Sequence, residues 1–179
     1  MNDAQSRVGS LKEQAYNSIR QLILCGALKP GDGIEEKRLM EQLGVGRTPL
    51  REAVNQLQQE DVLEVLPRRG TFVRTLEVED ISALFQVREE LEPAIVRIAT
   101  PMAESDVLQM FKMVFSGDGD AKDMIKMDGD FHRYLAHASH NRYFQRFMES
   151  IYFQNERVRG LSSRAMENLK DTNREHVMI

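Results

Sequence analysis

Gly44-Val45-Gly46-Arg47-Thr48-Pro49-Leu50-Arg51-Glu52-Ala53 is the stretch on which the fold turns. Gly44 closes one segment of helical periodicity, the predicted helix over 35–43, with Leu39, Met40 and Leu43 facing inward. A second helix begins near Thr48-Pro49, where proline is tolerated because a first-turn N–H has no helical partner. Leu50, Ala53, Val54 and Leu57 recur at the spacing of one buried face. Two helices joined by a short glycine-containing gap are the layout of a helix-turn-helix.

Working outward, residues 1–9 are polar and aperiodic and read as a flexible arm. Ser10-Leu11-Lys12-Glu13 has the form of a capping box, and Ala15, Ile19, Leu22 and Ile23 follow at helical spacing up to a stop at Gly26. Leu28-Lys29-Pro30-Gly31-Asp32 is a turn by its chemistry. Downstream, 62–66 and 71–74 read as short strands joined by Pro67-Arg68-Arg69-Gly70 as a hairpin tip. Residues 10–75 are therefore expected to be three helices plus a β-hairpin wing, and 76–78 a linker. From 79 to 179 the pattern is helical, with helices over 79–99, 104–115, 120–138, 141–160 and a last piece, broken at Gly117-Asp118-Gly119-Asp120. The fold class is mostly α: a winged helix-turn-helix followed by an all-α helical bundle.

The totals exclude several classes. A single cysteine, Cys25, rules out an internal disulfide framework and zinc-finger spacing. No secretory-type start and no apolar run near 20 residues appear, so no membrane partner is expected and a cytoplasmic location is. The net charge of −4 is divided unevenly: residues 1–76 hold 11 Lys+Arg against 10 Asp+Glu, and the remainder 13 against 18. That argues against a polybasic, nonspecific nucleic-acid binder, and makes the direction of the positive groups decisive.

Arg47, Arg51 and Asn55 lie at i, i+4 and i+8, one stripe displaced from the apolar face. Arginine suits both the phosphate backbone and the O6/N7 edge of guanine. Thr48, at the helix start, offers a hydroxyl and an N–H to a phosphate. Arg68 and Arg69 sit at the hairpin tip beside Gly70. This arrangement points to DNA, against the alternative that the arginines form surface ion pairs with Glu52 and Glu60.

The run Leu28-Lys29-Pro30-Gly31, Leu39, Leu43 to Ala53, and Pro67-Arg68-Arg69-Gly70-Thr71-Phe72-Val73 resembles the GntR family of bacterial regulators over about residues 8–75. The resemblance implies that Arg47 and Arg51 are the main operator contacts, that Thr48 and the wing at Arg69 and Gly70 assist, and that Lys37 is a further basic phosphate contact. Two positions depart from the family pattern. Gly46 replaces a Ser or Thr before the arginine, removing an N-cap oxygen, and Asp61 stands where glycine is usual, although Asp tolerates positive φ better than most residues.

In the second half, Asp128 and His132 share one helical face, and His176 could add a third ligand. From spacing alone, this is either a divalent-metal chelate (Zn, Mn, Ni or Fe) or a surface ion pair. Arg88-Glu89-Glu90-Leu91-Glu92-Pro93-Ala94, Asp128-x-x-Phe131-His132, Asn141 and Glu175-His176-x-x-Ile179 resemble the all-helical FCD effector domain of the FadR subfamily. Many members of that subfamily hold one metal with an Asp and three His, beside a small carboxylate effector. Asp128, His132 and His176 match three of those four ligands; the fourth falls in a further helix, so the chain is expected to be shortened at its C-terminus. Arg88 is then the expected effector-carboxylate contact, with a helix-surface pair to Glu92 as the alternative. His137 and His140 are near the candidate site, and His140 reads as a surface or capping residue. Met102, Met110, Met113, Met124 and Met127 read as core packing.

The expected function is a homodimeric regulator, a repressor, that binds a palindromic DNA operator and answers a small carboxylate. Two alternatives stand beside it: a DNA-binding dimer whose helical half has lost ligand response, and a metal-dependent hydrolase or lyase using Asp128, His132 and His176. No nucleophile elbow or phosphate-cradling loop supports the enzyme.

Overall fold

The computed structural model describes residues 10–117 and 121–161, which divide into two units, Met1–Leu76 and Glu77–Ile179. The expected arm at 1–9, most of the Gly117–Asp120 break, the last helical piece and His176 lie outside the described residues.

In the first unit, helices α1 (Leu11–Leu24), α2 (Glu36–Leu43) and α3 (Arg47–Gln59) precede strands β1 (Leu63–Leu66) and β2 (Gly70–Val73). Ser10 caps α1 by accepting from Glu13 N at 3.2 Å. Ala15, Ile19 and Ile23 of α1 are buried, as are Leu50, Ala53, Val54 and Leu57 of α3, and the two helices pack together. Gly44 ends α2 with φ of +65°, so the chain reverses through the left-handed region at the residue best able to adopt it. Helix α3 starts at Arg47, one residue before the expected Thr48-Pro49, with extended Gly46 as an N-cap that offers no side chain. Asp61, with φ of +55°, does take the left-handed conformation of the glycine it replaces.

The antiparallel hairpin pairs Leu63 with Val73 and Leu66 with Gly70. Residues 28–32, expected to be only a turn, lead into backbone that pairs with β2: Gly31 N donates to Val73 O at 2.8 Å, and Ile34 N to Thr71 O at 2.8 Å. A bridge between Gly33 and Phe72 completes this edge. The wing is thus tied to the segment ahead of α2, a long-range pairing that local turn chemistry does not encode.

The second unit contains α4 (Val78–Ala99), a 3-10 turn at Thr100–Met102, α5 (Ser105–Phe115), α6 (Ala121–Ala138) and α7 (Arg142–Leu161). The expected linker over 76–78 is shorter, because Val78 already belongs to α4. Asp80 accepts from Glu77 N at 3.1 Å and so fixes the helix start. Helices α4, α6 and α7 pack on one another, with α5 against α6. Phe111, Phe115 and Phe131 form the aromatic centre, with Phe131 edge-on to both other rings at 5.2 and 5.5 Å. Only part of the methionine expectation describes this core. Met124 is buried and Met127 partly buried, whereas Met102, Met110 and Met113 are 53%, 49% and 76% exposed on α5 and the turn before it.

A Cβ on Gly44 meets nothing within 4 Å, so a substitution there tests the backbone alone. Gly44→Ala should destabilise the protein by about 1–2 kcal/mol in denaturant unfolding, and Gly44→Asn by less, because Asn tolerates the left-handed region.

Candidate functional site

Burial of one face of α3 turns the other outward. Arg47, Thr48, Arg51 and Asn55 are exposed, as are Lys37 on α2 and Arg68, Arg69 and Gly70 at the wing tip. Arg47 and Thr48 occupy the first turn of α3, where N–H groups have no helical acceptor and the helix dipole favours an anion. At the tip, Arg68 has φ of +64° and Gly70 φ of +113°, and the Arg69 guanidinium lies 5.6 Å from the centre of the Phe72 ring. The structure therefore gathers all six expected DNA contacts onto exposed parts of the first unit.

Arg51 is an ion-pair partner, though not of Glu52 or Glu60. Its Nε lies 3.1 and 3.3 Å from the two carboxylate oxygens of Glu36, on the first turn of α2. Glu60 instead accepts from Tyr16 Oη at 2.7 Å. Sequence inspection missed Glu36 because the pair spans 15 residues across the helix-turn-helix.

In the second unit Arg88, Asp128 and His132 converge inside the helical bundle. Asp128 and His132 of α6 are 1% and 6% exposed, and Arg88 of α4 is 9% exposed. Asp128 Oδ1 lies 3.9 Å from His132 Nε2, and its Oδ2 lies 2.8 Å from Arg159 Nη1, a charge contact without hydrogen-bond alignment. The His132 ring stacks on Tyr152 with centroids 4.6 Å apart. The pair expected as either chelate or surface ion pair is thus buried, which removes the surface reading.

Arg88 is tied on every nitrogen. Its Nε donates to Glu92 Oε1 at 2.6 Å, Nη1 to Asn155 Oδ1 at 3.2 Å and Nη2 to Tyr152 Oη at 3.4 Å. Tyr152 Oη in turn donates to the same Glu92 oxygen at 2.5 Å. The Glu92 pair expected as a helix-surface contact therefore forms, with Arg88 buried and Glu92 part-buried. Burial works against the Arg88 charge, yet Tyr152, Glu92 and Asp128 outweigh it and hold the guanidinium above its ordinary pKa. Burial, reinforced by Glu92 and opposed by Arg88, pushes the Tyr152 phenol well above its ordinary range, so it remains a neutral donor.

His137 and His140 are exposed rather than part of this cluster. His140 has φ of +51° in the turn between α6 and α7, and Asn141 makes the capping contact, accepting from Tyr143 N at 3.0 Å. Tyr152, Asn155 and Arg159, none of them singled out beforehand, lie at i, i+3 and i+7. That spacing is a legible polar stripe on an otherwise apolar helical face.

Asp128 and His132 suit a divalent metal by donor type, burial and position on one helical face. Arg159 holds one carboxylate oxygen, and the edge formed by Oδ1 and Nε2 is the part suited to an ion. Among the described residues there is no group of three His, Cys, Asp or Glu able to hold a metal.

Comparison with known proteins decides the family. The model for bacterial regulatory proteins of the gntR family matches residues 11–73, and that of the FCD domain matches residues 83–179. The chain belongs to the gntR family, with an FCD domain following the gntR-type unit. It is 38% identical over 136 residues to the Nta operon transcriptional regulator of Aminobacter aminovorans, covering 73% of this chain and 63% of that protein. It is 29% identical over 146 residues to the uncharacterized HTH-type transcriptional regulator YdhC of Bacillus subtilis, covering 77% and 65%. The chain thus spans a little under two thirds of the length of these relatives. The solved structure of Escherichia coli McbR/YncC shares the fold, with a TM-score of 0.71 at 21% identity over 95% of this chain and 91% of that one. No described helix is long and apolar enough to cross a membrane.

The buried network around Arg88 yields a stability prediction. Arg88→Ala leaves part-buried Glu92 and buried Asn155 without their cation and should cost about 3–5 kcal/mol in chemical denaturation. Combining Arg88→Met with Glu92→Leu should recover much of that loss, because no buried charge is then left unpaired.

Proposed function

We propose that this protein is a sequence-specific DNA-binding transcription regulator, a repressor, acting in the cytoplasm as a homodimer on a palindromic operator. The observation that carries the reading is the outward stripe of Arg47, Thr48, Arg51 and Asn55 on a helix whose opposite face is fully buried. Paired recognition helices reading a two-fold site are the usual geometry of this motif. Lys37 and the wing at Arg69 and Gly70 supply phosphate contacts, which fix position rather than sequence.

The second unit responds to a small carboxylate metabolite bound at the polar centre of the bundle. Support comes from Arg88, a permanent cation held in a buried polar network, with a part-buried cation at Arg159 and the His132 imidazole nearby in the same network. Arg88 contacts the effector carboxylate by exchanging it for Glu92. Asp128 and His132, joined by His176, hold one divalent ion of the Zn, Mn, Ni or Fe type. Such an ion supplies a Lewis-acidic anchor for effector oxygens. Effector binding shifts the population of dimer geometries and thereby operator affinity.

Arg51→Ala in the full chain should weaken binding to an operator selected from randomised duplexes by about 1–3 kcal/mol in an anisotropy titration. Unchanged affinity would remove Arg51 from the reading surface. For the sensor half, wild type and His132→Ala purified side by side should differ in bound metal, and a panel of small carboxylates should raise the wild-type melting temperature only where one binds. Equal metal content in the two proteins would dismiss His132 as a ligand. Stabilisation without turnover supports a sensor, whereas turnover would argue for an enzyme.

A further inference from the structure

Arg51 differs from the other basic groups of the reading surface in having a carboxylate held against it. Its Nε faces both oxygens of Glu36, at 3.1 and 3.3 Å, while Arg47 and Lys37 carry no ion pair among the described residues. The Arg51 and Glu36 side chains are 57% and 35% exposed, so the pair is screened by water and contributes little net stability. It is therefore poorly explained as a structural strut. Its geometry has another consequence. With Nε engaged, the edge formed by Nη1 and Nη2 is the part of the guanidinium left for DNA, and two parallel N–H groups match O6 and N7 of guanine.

We infer that Glu36 is a positioning residue for Arg51, which orients the guanidinium for base reading and suppresses its attraction to phosphate at noncognate sites. This rests on Arg51 being a base-reading residue, as proposed above. Two physical effects combine. Holding a long side chain in one orientation reduces the ordering cost of the cognate contact. A carboxylate beside the guanidinium also offsets its charge toward any phosphate, so binding that relies on charge alone is weakened more than binding that uses the fork. Glu36 stands at the start of α2, and the turn at Gly44 brings it to Arg51. The pairing is therefore built into the helix-turn-helix itself.

The test uses the full chain, an operator selected by the wild type from randomised duplexes, and a scrambled duplex of equal length. Wild type, Glu36→Gln, Glu36→Asp, Arg51→Ala and the Glu36→Gln/Arg51→Ala double variant are titrated by anisotropy across a salt series. Circular dichroism melts verify that each is folded. Glu36→Gln should bind the scrambled duplex more tightly, steepen its salt dependence, and lower the operator-to-scrambled affinity ratio by about tenfold, the loss of a well-placed bidentate contact. Glu36→Asp, which keeps the charge, should retain most of the ratio. In the Arg51→Ala background, Glu36→Gln should leave the ratio unchanged. A ratio that is unaltered in Glu36→Gln alone overturns the inference while leaving Arg51 as a reader. A ratio that still falls in the Arg51→Ala background also overturns it, because Glu36 would then contact the base directly. If Arg51→Ala itself leaves operator affinity intact, the base-reading role falls first and the inference with it.

Discussion

The packing of α3 on α1 is the contact on which the outward basic surface depends. Leu50, Ala53, Val54 and Leu57 are buried together with Ala15, Ile19 and Ile23, and water exclusion from that seam fixes the rotation of α3 about its own axis. Once that rotation is fixed, residues about 100° away on the helix have no choice of direction. Arg47, Arg51 and Asn55 face outward because Leu50 and Leu57 face in. The left-handed turn at Gly44 packs α2 against α3, bringing Glu36 to Arg51. The backbone pairing between 31–34 and β2 sets the wing beside the same unit.

The second unit solves a different problem. Its core is mostly aromatic and aliphatic, yet it encloses Arg88, Asp128, His132 and Asn155. Charges in such a place are tolerated only when their partners are also present. The network meets that condition, with Arg88 bonded to Glu92, Asn155 and Tyr152, and Asp128 flanked by His132 and Arg159. A bundle of this size could be held by apolar packing alone. Concentrating polar groups of both signs in its centre means that removing one of them leaves its partner buried without compensation.

Most of the secondary structure was legible because its determinants act within a few residues. The apolar spacing of α1 and α3, the stop at Gly44, and Asp61 as a stand-in for glycine are all local. The Arg88–Glu92 pair was legible for the same reason, being one helical turn apart, although its burial was not. Harder to read were contacts between elements. Tyr152, Asn155 and Arg159 form a polar stripe visible in the sequence, but nothing local says that the stripe faces Arg88 and Asp128 rather than water. The three exposed methionines of the α5 region show the same limit in reverse, since helical spacing assigns a face but not what covers it.

The sequence by itself determined the order of the elements, the helix-turn-helix and its wing, and the identity of the outward basic groups, because periodicity and backbone conformational preference are written residue by residue. Only the tertiary structure decided that Arg51 is held by Glu36, that the Arg88–Glu92 pair joins a buried polar network, and that residues 31–34 edge the wing. Those contacts join residues far apart in the chain, and their formation depends on how buried faces fit together, which no local spacing specifies.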